Sequence, residues 1–195
     1  MDLADDLPAG GTPIDPEDAV ELVPAHITTR EQLNEWEQAN ILAAERWAFS
    51  RKRPGLLSRS FLQNLHRHMF DKTWRWAGTL RRVDTNIGDH WRQIPVALHN
   101  VCEDAKTWLE RETYSPVEAA ARFHLRLVQV HPFPNGNGRH ARLSADLLLH
   151  LLDLPRLSWG SGDLQRATDV RSDYLSALRS ADQGNVEPLL KFVVS

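Results

Sequence analysis

The stretch that decides how this chain is read is His131-Pro132-Phe133-Pro134-Asn135-Gly136-Asn137-Gly138-Arg139-His140-Ala141-Arg142. Its first nine residues hold two Pro, two Gly and two Asn, which stop a helix on either side and loosen the backbone between them. A glycine-rich turn that opens a helix aims free N–H groups at one point, and the helix dipole adds positive potential there. Gly136, Asn137, Gly138 and Arg139 therefore spell an anion cradle. Arg139 and Arg142, three apart, share a face of the first helical turn and add two guanidinium forks suited to phosphate oxygens. His131, at the other lip of the turn, titrates near neutrality and can take a proton from an attacking hydroxyl. A base beside a phosphate cradle points to phosphoryl or nucleotidyl transfer. Each feature alone is more often structural, but a purely structural loop has no need of them all together.

Outward from this loop the chain reads as helices. Upstream, Ser115, Pro116 and Glu118 combine an N-cap, a first-turn proline and a capping-box acid, predicting a helix that delivers the chain to His131. Downstream, a helix is expected from Gly138 or Arg139. Its later half, from Leu143 to Leu152, is apolar nearly all round and belongs at the centre of a bundle. Thr29 with Gln32 has the form of a capping box, and Leu33, Trp36, Asn40, Ala43 and Trp47 follow helical spacing over about 30–49. Phe61, Leu62, Leu65 and Met69 predict a second helix over 59–70, and Pro95 opens a third that ends near Arg111. Two more helices are expected at about 164–182 and 188–194. Val83, Thr85, Ile87, Trp91 and Ile94, interrupted by Asn86, Gly88 and Asp89, predict a short β-hairpin at about 80–95. Residues 1–25, with Pro8, Pro13, Pro16 and Pro24 beside Gly10 and Gly11, read as an irregular arm laid over a single domain at 26–195.

Composition narrows the function classes. The 195 residues, 42% hydrophobic and 25% charged with seven Trp, suit one domain with a real core. A net charge of -3 argues against an obligate nucleic-acid binder, which needs a basic excess. The single cysteine, Cys102, forms no internal disulfide and fits a reducing compartment. The acidic start, Met1 to Asp6, is unlike a signal peptide, and the apolar run Leu147 to Leu152 is too short to cross a bilayer. A soluble, cytoplasmic protein with no membrane partner is the expectation. Nine His come without HExxH or comparable spacing, which counts against a zinc hydrolase.

The run His131 to Arg142 resembles the Fic motif, HxFx(D/E)GNGRxxR, agreeing at His131, Phe133, Gly136, Asn137, Gly138, Arg139 and Arg142. Further similarity runs from Asn34-Glu35-Trp36-Glu37-Gln38-Ala39-Asn40-Ile41 through Trp76-Ala77-Gly78 and Trp159-Gly160 to Tyr174-Leu175-Ser176-Ala177-Leu178. It resembles the Fic-containing "mobile mystery protein B" group over nearly the whole chain. The resemblance implies an all-α Fic-type helical bundle with a β-hairpin flap over the active site. It also implies transfer of AMP from ATP to a Ser, Thr or Tyr hydroxyl of a target protein, with His131 as general base. Gly136, Asn137 and Gly138 would hold the α- and β-phosphates, and Arg139 and Arg142 the β- and γ-phosphates. The flap holds its target by strand addition, with Ile87 or Trp91 as clamp. Tyr174 resembles a position near the nucleotide-base pocket, an aromatic that at helical spacing also reads as core.

One position departs from the pattern. Asn135 stands where the family has the acid that coordinates Mg²⁺, and an amide oxygen keeps a ligand while discarding its charge. Three outcomes stay open: AMP transfer with a weaker metal requirement, transfer of another phosphate-containing group, or a nucleotide-binding module with little catalysis, paired with a separate regulatory or antitoxin-like protein. Many Fic enzymes carry an inhibitory helix, (S/T)xxxE(G/N), whose Glu pairs with the second arginine, here Arg142. Glu37 is the nearest match, with Leu33 and Gln38 in place of the expected flanking residues; a surface Glu is the competing reading.

Overall fold

In the computed structural model of the chain, which describes residues 20–24, 26–27, 30–162, 164 and 169–195, every regular element is helical among the described residues. The α-helices are α1 (Arg30–Phe49), α2 (Arg59–Phe70), α3 (Ile94–Glu110), α4 (Pro116–Val130), α5 (Asn137–Leu151), α6 (Asp169–Asp182) and α7 (Glu187–Phe192). Single 3₁₀ turns occur at Trp91–Gln93 and Trp159–Ser161.

Local chemistry explains where the helices start. The Ser58 hydroxyl accepts the Phe61 N–H at 3.2 Å to cap α2, and the Ser115 hydroxyl accepts the Glu118 N–H at 3.2 Å to cap α4, with Pro116 in the first turn. The expected box at Thr29 lies outside the described residues, as do 165–168 of the expected 164–182 helix and most of the N-terminal arm. Residues 20–23 are held against the main body: the Val23 N–H donates to the Thr73 carbonyl and the Arg75 N–H to the Glu21 carbonyl, both at 2.9 Å.

The core forms where α5 lies along α4, flanked by the α1–α2 and α3–α4 pairs. On α5, Ala141, Leu143, Ala145, Leu147, Leu148 and Leu149 are all buried, the fate expected of a helix apolar nearly all round. On α2, the buried set is Leu62, Leu65, Met69 and Phe70. Truncating Leu65 to Ala would cost about 2–5 kcal/mol.

The expected β-hairpin at 80–95 is not there: residues 82–90 form turns and bends, with no strand. Side chains take the groups a hairpin ladder would need. Arg81 donates through Nη1 to the Val83 carbonyl at 2.8 Å and through Nη2 to the Asp89 carbonyl. The Thr85 hydroxyl donates to the Ile87 carbonyl, and the Asp84 carboxylate accepts the Trp91 N–H at 2.9 Å. Such local side-chain bonds compete directly with cross-strand pairing.

Candidate active site

His131 ends α4 in a left-handed conformation (φ +49°), an uncommon state for a residue with a side chain. It turns the chain sharply back toward α5. The segment then closes on itself by side-chain bonds. Asn137 Oδ1 accepts the Phe133 N–H at 2.9 Å and Asn137 Nδ2 donates to the Phe133 carbonyl at 2.8 Å. Asn135 Oδ1 accepts the Gly136 N–H at 2.6 Å. Gly136 sits at φ +76°, and a Cβ there would come within 2.5 Å of the Phe70 ring, so only glycine fits. No side chain caps the N-terminus of α5, which leaves its first N–H groups and the positive end of its dipole for an anion.

The two arginines of this first turn take different partners. Arg139 Nη1 donates to Glu37 Oε2 on α1 at 2.7 Å, and its guanidinium lies 4.9 Å from the Phe70 ring centre. Arg142 leans toward α6, its guanidinium 5.6 Å from the Tyr174 ring centre, and it borders a cleft of about 450 Å³ that Arg156, Ser158 and Trp159 also line. The Glu37 contact therefore corrects the expectation. Glu37 is buried, not a surface acid, and meets the first arginine where the family pattern implied the second. The physical reason is the direction of the side chains: Arg142 is drawn to α6, leaving Arg139 on the side that faces α1.

Tyr174 is buried, and its hydroxyl lies 2.9 Å from His124 Nε2. Burial raises the hydroxyl's pKa, while the neighbouring Arg142 opposes the rise. Tyr174 thus backs Arg142 from the core side. The Asn137 side chain is likewise committed to Phe133, so that residue offers a ligand its backbone N–H only. Ile87 is 46% exposed on the 82–90 loop. Trp91 is half-buried and packed on the core under Arg92, leaving Ile87 the more accessible of the two expected clamps.

Burial pushes the His131 imidazole down to about 4, the Arg81 guanidinium adds to that shift, and a hydrogen bond to the Val128 carbonyl opposes it. The ring is therefore neutral at physiological pH, the state a general base requires.

Two residues that sequence reasoning passed over hold this assembly. His66, on α2, is fully buried. Its Nδ1 accepts the Gly78 N–H at 2.9 Å and its Nε2 donates to the Asn135 carbonyl at 3.1 Å, while its ring stacks on Phe133 at 3.7 Å between centroids. Burial, reinforced by His140, holds its pKa well below the ordinary value. Arg81 Nε donates to the His131 carbonyl at 2.7 Å, and the Arg81 N–H to the Pro132 carbonyl at 3.0 Å. The only sequence signal was the neighbouring Trp76-Ala77-Gly78, which carries no chemistry of its own.

The family model described as "Fic/DOC family" matches residues 56–149. The protein adenylyltransferase Fic of Nematostella vectensis is 33% identical over 120 residues, covering 60% of this chain and 26% of that protein. The protein adenylyltransferase fic-1 of Caenorhabditis elegans is 35% identical over 123 residues, covering 60% and 22%. The chain thus spans about a quarter of the length of these curated relatives. Among solved structures, Fic-1 of C. elegans superposes with a TM-score of 0.67 at 25% identity, over 89% of this chain and 50% of that one. The N-terminal Fic domain of a Bartonella quintana cell filamentation protein with bound ADP gives 0.67 at 20% identity, over 87% and 86%. With the motif, the helical core and these similarities in agreement, residues 56–149 form a domain of the Fic/DOC family.

Proposed function

We propose that this chain is a protein adenylyltransferase, moving AMP from ATP to a Ser, Thr or Tyr hydroxyl of a target protein. The observation that carries the reading is a neutral, buried His131 beside the uncapped N-terminus of α5, whose first turns carry Arg139 and Arg142. Both curated relatives quoted above are named protein adenylyltransferases, and the similar Bartonella domain is described with bound ADP, which supports a nucleotide as the ligand.

In the proposed reaction the target hydroxyl attacks the α-phosphorus of ATP, and His131 takes the hydroxyl proton. A new P–O bond forms to the target, the bond from the α-phosphorus to the bridging oxygen breaks, and pyrophosphate leaves. Backbone N–H groups of Asn137 and Gly138 face the charge that develops on the phosphates. Arg142, steadied by Tyr174, takes part of the leaving charge; Arg139 does so once Glu37 releases it. The loop at 82–90, with Ile87 outward, receives the target segment.

Mg²⁺ is expected to arrive bound to ATP. The candidate ligand Asn135 has its amide oxygen engaged by the Gly136 N–H at 2.6 Å, and the described residues include no cluster of three or more His, Cys, Asp or Glu able to hold a metal. The described residues do not build a metal site of their own.

The Glu37–Arg139 pair favours a second reading, in which the resting chain binds nucleotide weakly and a separate regulatory protein controls it. A cytoplasmic location belongs to the same proposal and rests on the composition and the lone, buried Cys102. Labelled ATP incubated with lysate and either wild type or His131→Ala tests the transferase reading: labelling by wild type alone is expected, and equal labelling by both would remove His131 from catalysis.

A further inference from the structure

Arg81 is only 3% exposed, and burying a guanidinium is costly unless its donors are fully used. Here they are used on backbone carbonyls from two separate segments. Nε donates to the His131 carbonyl at 2.7 Å and Nη2 reaches the Val130 carbonyl at 3.4 Å, both at the end of α4. Nη1 donates to the Val83 carbonyl at 2.8 Å and Nη2 also to the Asp89 carbonyl, at the two ends of the 82–90 loop. The nearest carboxylate, Asp84, stands 3.8 Å off and is half-exposed. A planar fork with several donors can span such a set of acceptors; a lysine ammonium cannot.

The loop touches the base directly as well. The Asp89 N–H donates to the Val130 carbonyl at 3.3 Å. At Gly88 (φ +99°) a Cβ would lie 2.5 Å from His131 Cβ and 2.9 Å from Arg81 Nη2. His131 itself is held in a strained left-handed conformation, which needs surrounding structure to persist. Its carbonyl, the group whose direction that strain sets, is the one Arg81 Nε grips.

We propose that Arg81 is a positioning residue that fixes the 82–90 loop and the backbone of His131 as one body, setting the height at which a target segment on the loop meets the base. Its effect on catalysis rests on the transferase reading above; the clamp itself does not. With the hairpin ladder absent, the guanidinium does the work that strand pairing would otherwise do in keeping the loop flat over the site. Placement errors of about 1 Å at a reacting centre are enough to cost large rate factors.

The test uses the full chain as wild type, Arg81→Lys and Arg81→Ala, the last with and without methylguanidine. Three readouts are compared: amide hydrogen exchange at 82–90 and 130–132, ATP affinity, and steady-state AMP transfer to a protein target. Both variants should lose exchange protection in these two segments while the helical core keeps its own. Transfer should fall by at least about tenfold through kcat, with ATP affinity within about twofold. Methylguanidine should restore part of the rate in Arg81→Ala, whereas Arg81→Lys, with the charge but not the fork, should stay impaired. Unchanged exchange in both segments would overturn the clamp, as would full activity of Arg81→Lys or loss of core protection in step with the loop. If wild type transfers no AMP, the transferase reading fails, and the exchange comparison still decides the clamp.

Discussion

Glu37 on α1 and Arg139 in the first turn of α5 form a largely buried ion pair at 2.7 Å, and the second carboxylate oxygen of Glu37 accepts the Trp74 indole N–H at 2.7 Å. A guanidinium that the nucleotide would use is thereby held by an acid of the same chain. Glu37→Gln keeps an acceptor for Trp74 and removes the charge from Arg139. ATP should then bind about tenfold more tightly, matching one charge-assisted hydrogen bond, and transfer should rise. Calorimetric titration with ATP and the rate of AMP incorporation measure both; unchanged affinity would make the pair purely structural.

Asn135→Asp supplies a second anionic oxygen beside the one that accepts the Gly136 N–H. One oxygen can keep that bond while the other reaches a metal. The ratio of ATP affinity in Mg²⁺ to that in EDTA should increase about five- to tenfold over wild type. Equal ratios would place the metal away from residue 135.

Gly88→Ala should separate nucleotide binding from chemistry. The added Cβ would meet His131 Cβ at 2.5 Å, and the left-handed backbone of residue 88 disfavours alanine by about 1 kcal/mol. Transfer is expected to drop by more than about tenfold while ATP affinity holds, since the atoms nearest residue 88 belong to His131, Arg81 and Val130 and not to the 136–142 turn. Kinetics and equilibrium titration on one preparation check the split.

The acid limb of stability follows from four buried imidazoles, of which burial holds His66 well below its ordinary value. Burial lowers His124 to about 3, and His131 and His140 to about 4, from 6.5. Between 6.5 and these values the unfolded chain binds protons that the folded chain refuses, so stability is complete above 6.5 and is lost as pH falls toward 4. Asp146, raised by burial, works weakly in the opposite sense. His140→Asn retains a donor for the Leu62 carbonyl, which His140 Nε2 contacts at 2.9 Å, and cannot titrate. It should flatten the fall of Tm between pH 6.5 and 4.5 by about one proton's worth, measurable by calorimetry.

The helical order was legible because it is local. Ser115 caps where its spacing to Glu118 says it should, the helix at 59–70 lies where Phe61, Leu62, Leu65 and Met69 place it, and the apolar run of α5 is buried through Leu149 as its pattern requires. The hairpin was misread because alternation from Val83 to Ile94 describes only what a strand would bury. It says nothing of an arginine that takes the Val83 and Asp89 carbonyls first.

The motif from His131 to Arg142 likewise identified the loop, the uncapped helix and the two arginines, since residue type and spacing of three or four are enough to specify a turn and a helix face. Its partners in space were beyond it. Arg81 is 50 positions from His131, His66 is 69 from Asn135, and Glu37 is 102 from Arg139. Which carbonyl a guanidinium grips, and which arginine an acid finds, depends on how α1, α2 and the 82–90 loop pack around α5. By itself the sequence determined the chemistry available to this site; tertiary packing decided which of those groups stand ready and which are held, because long-range contacts leave no period in a chain.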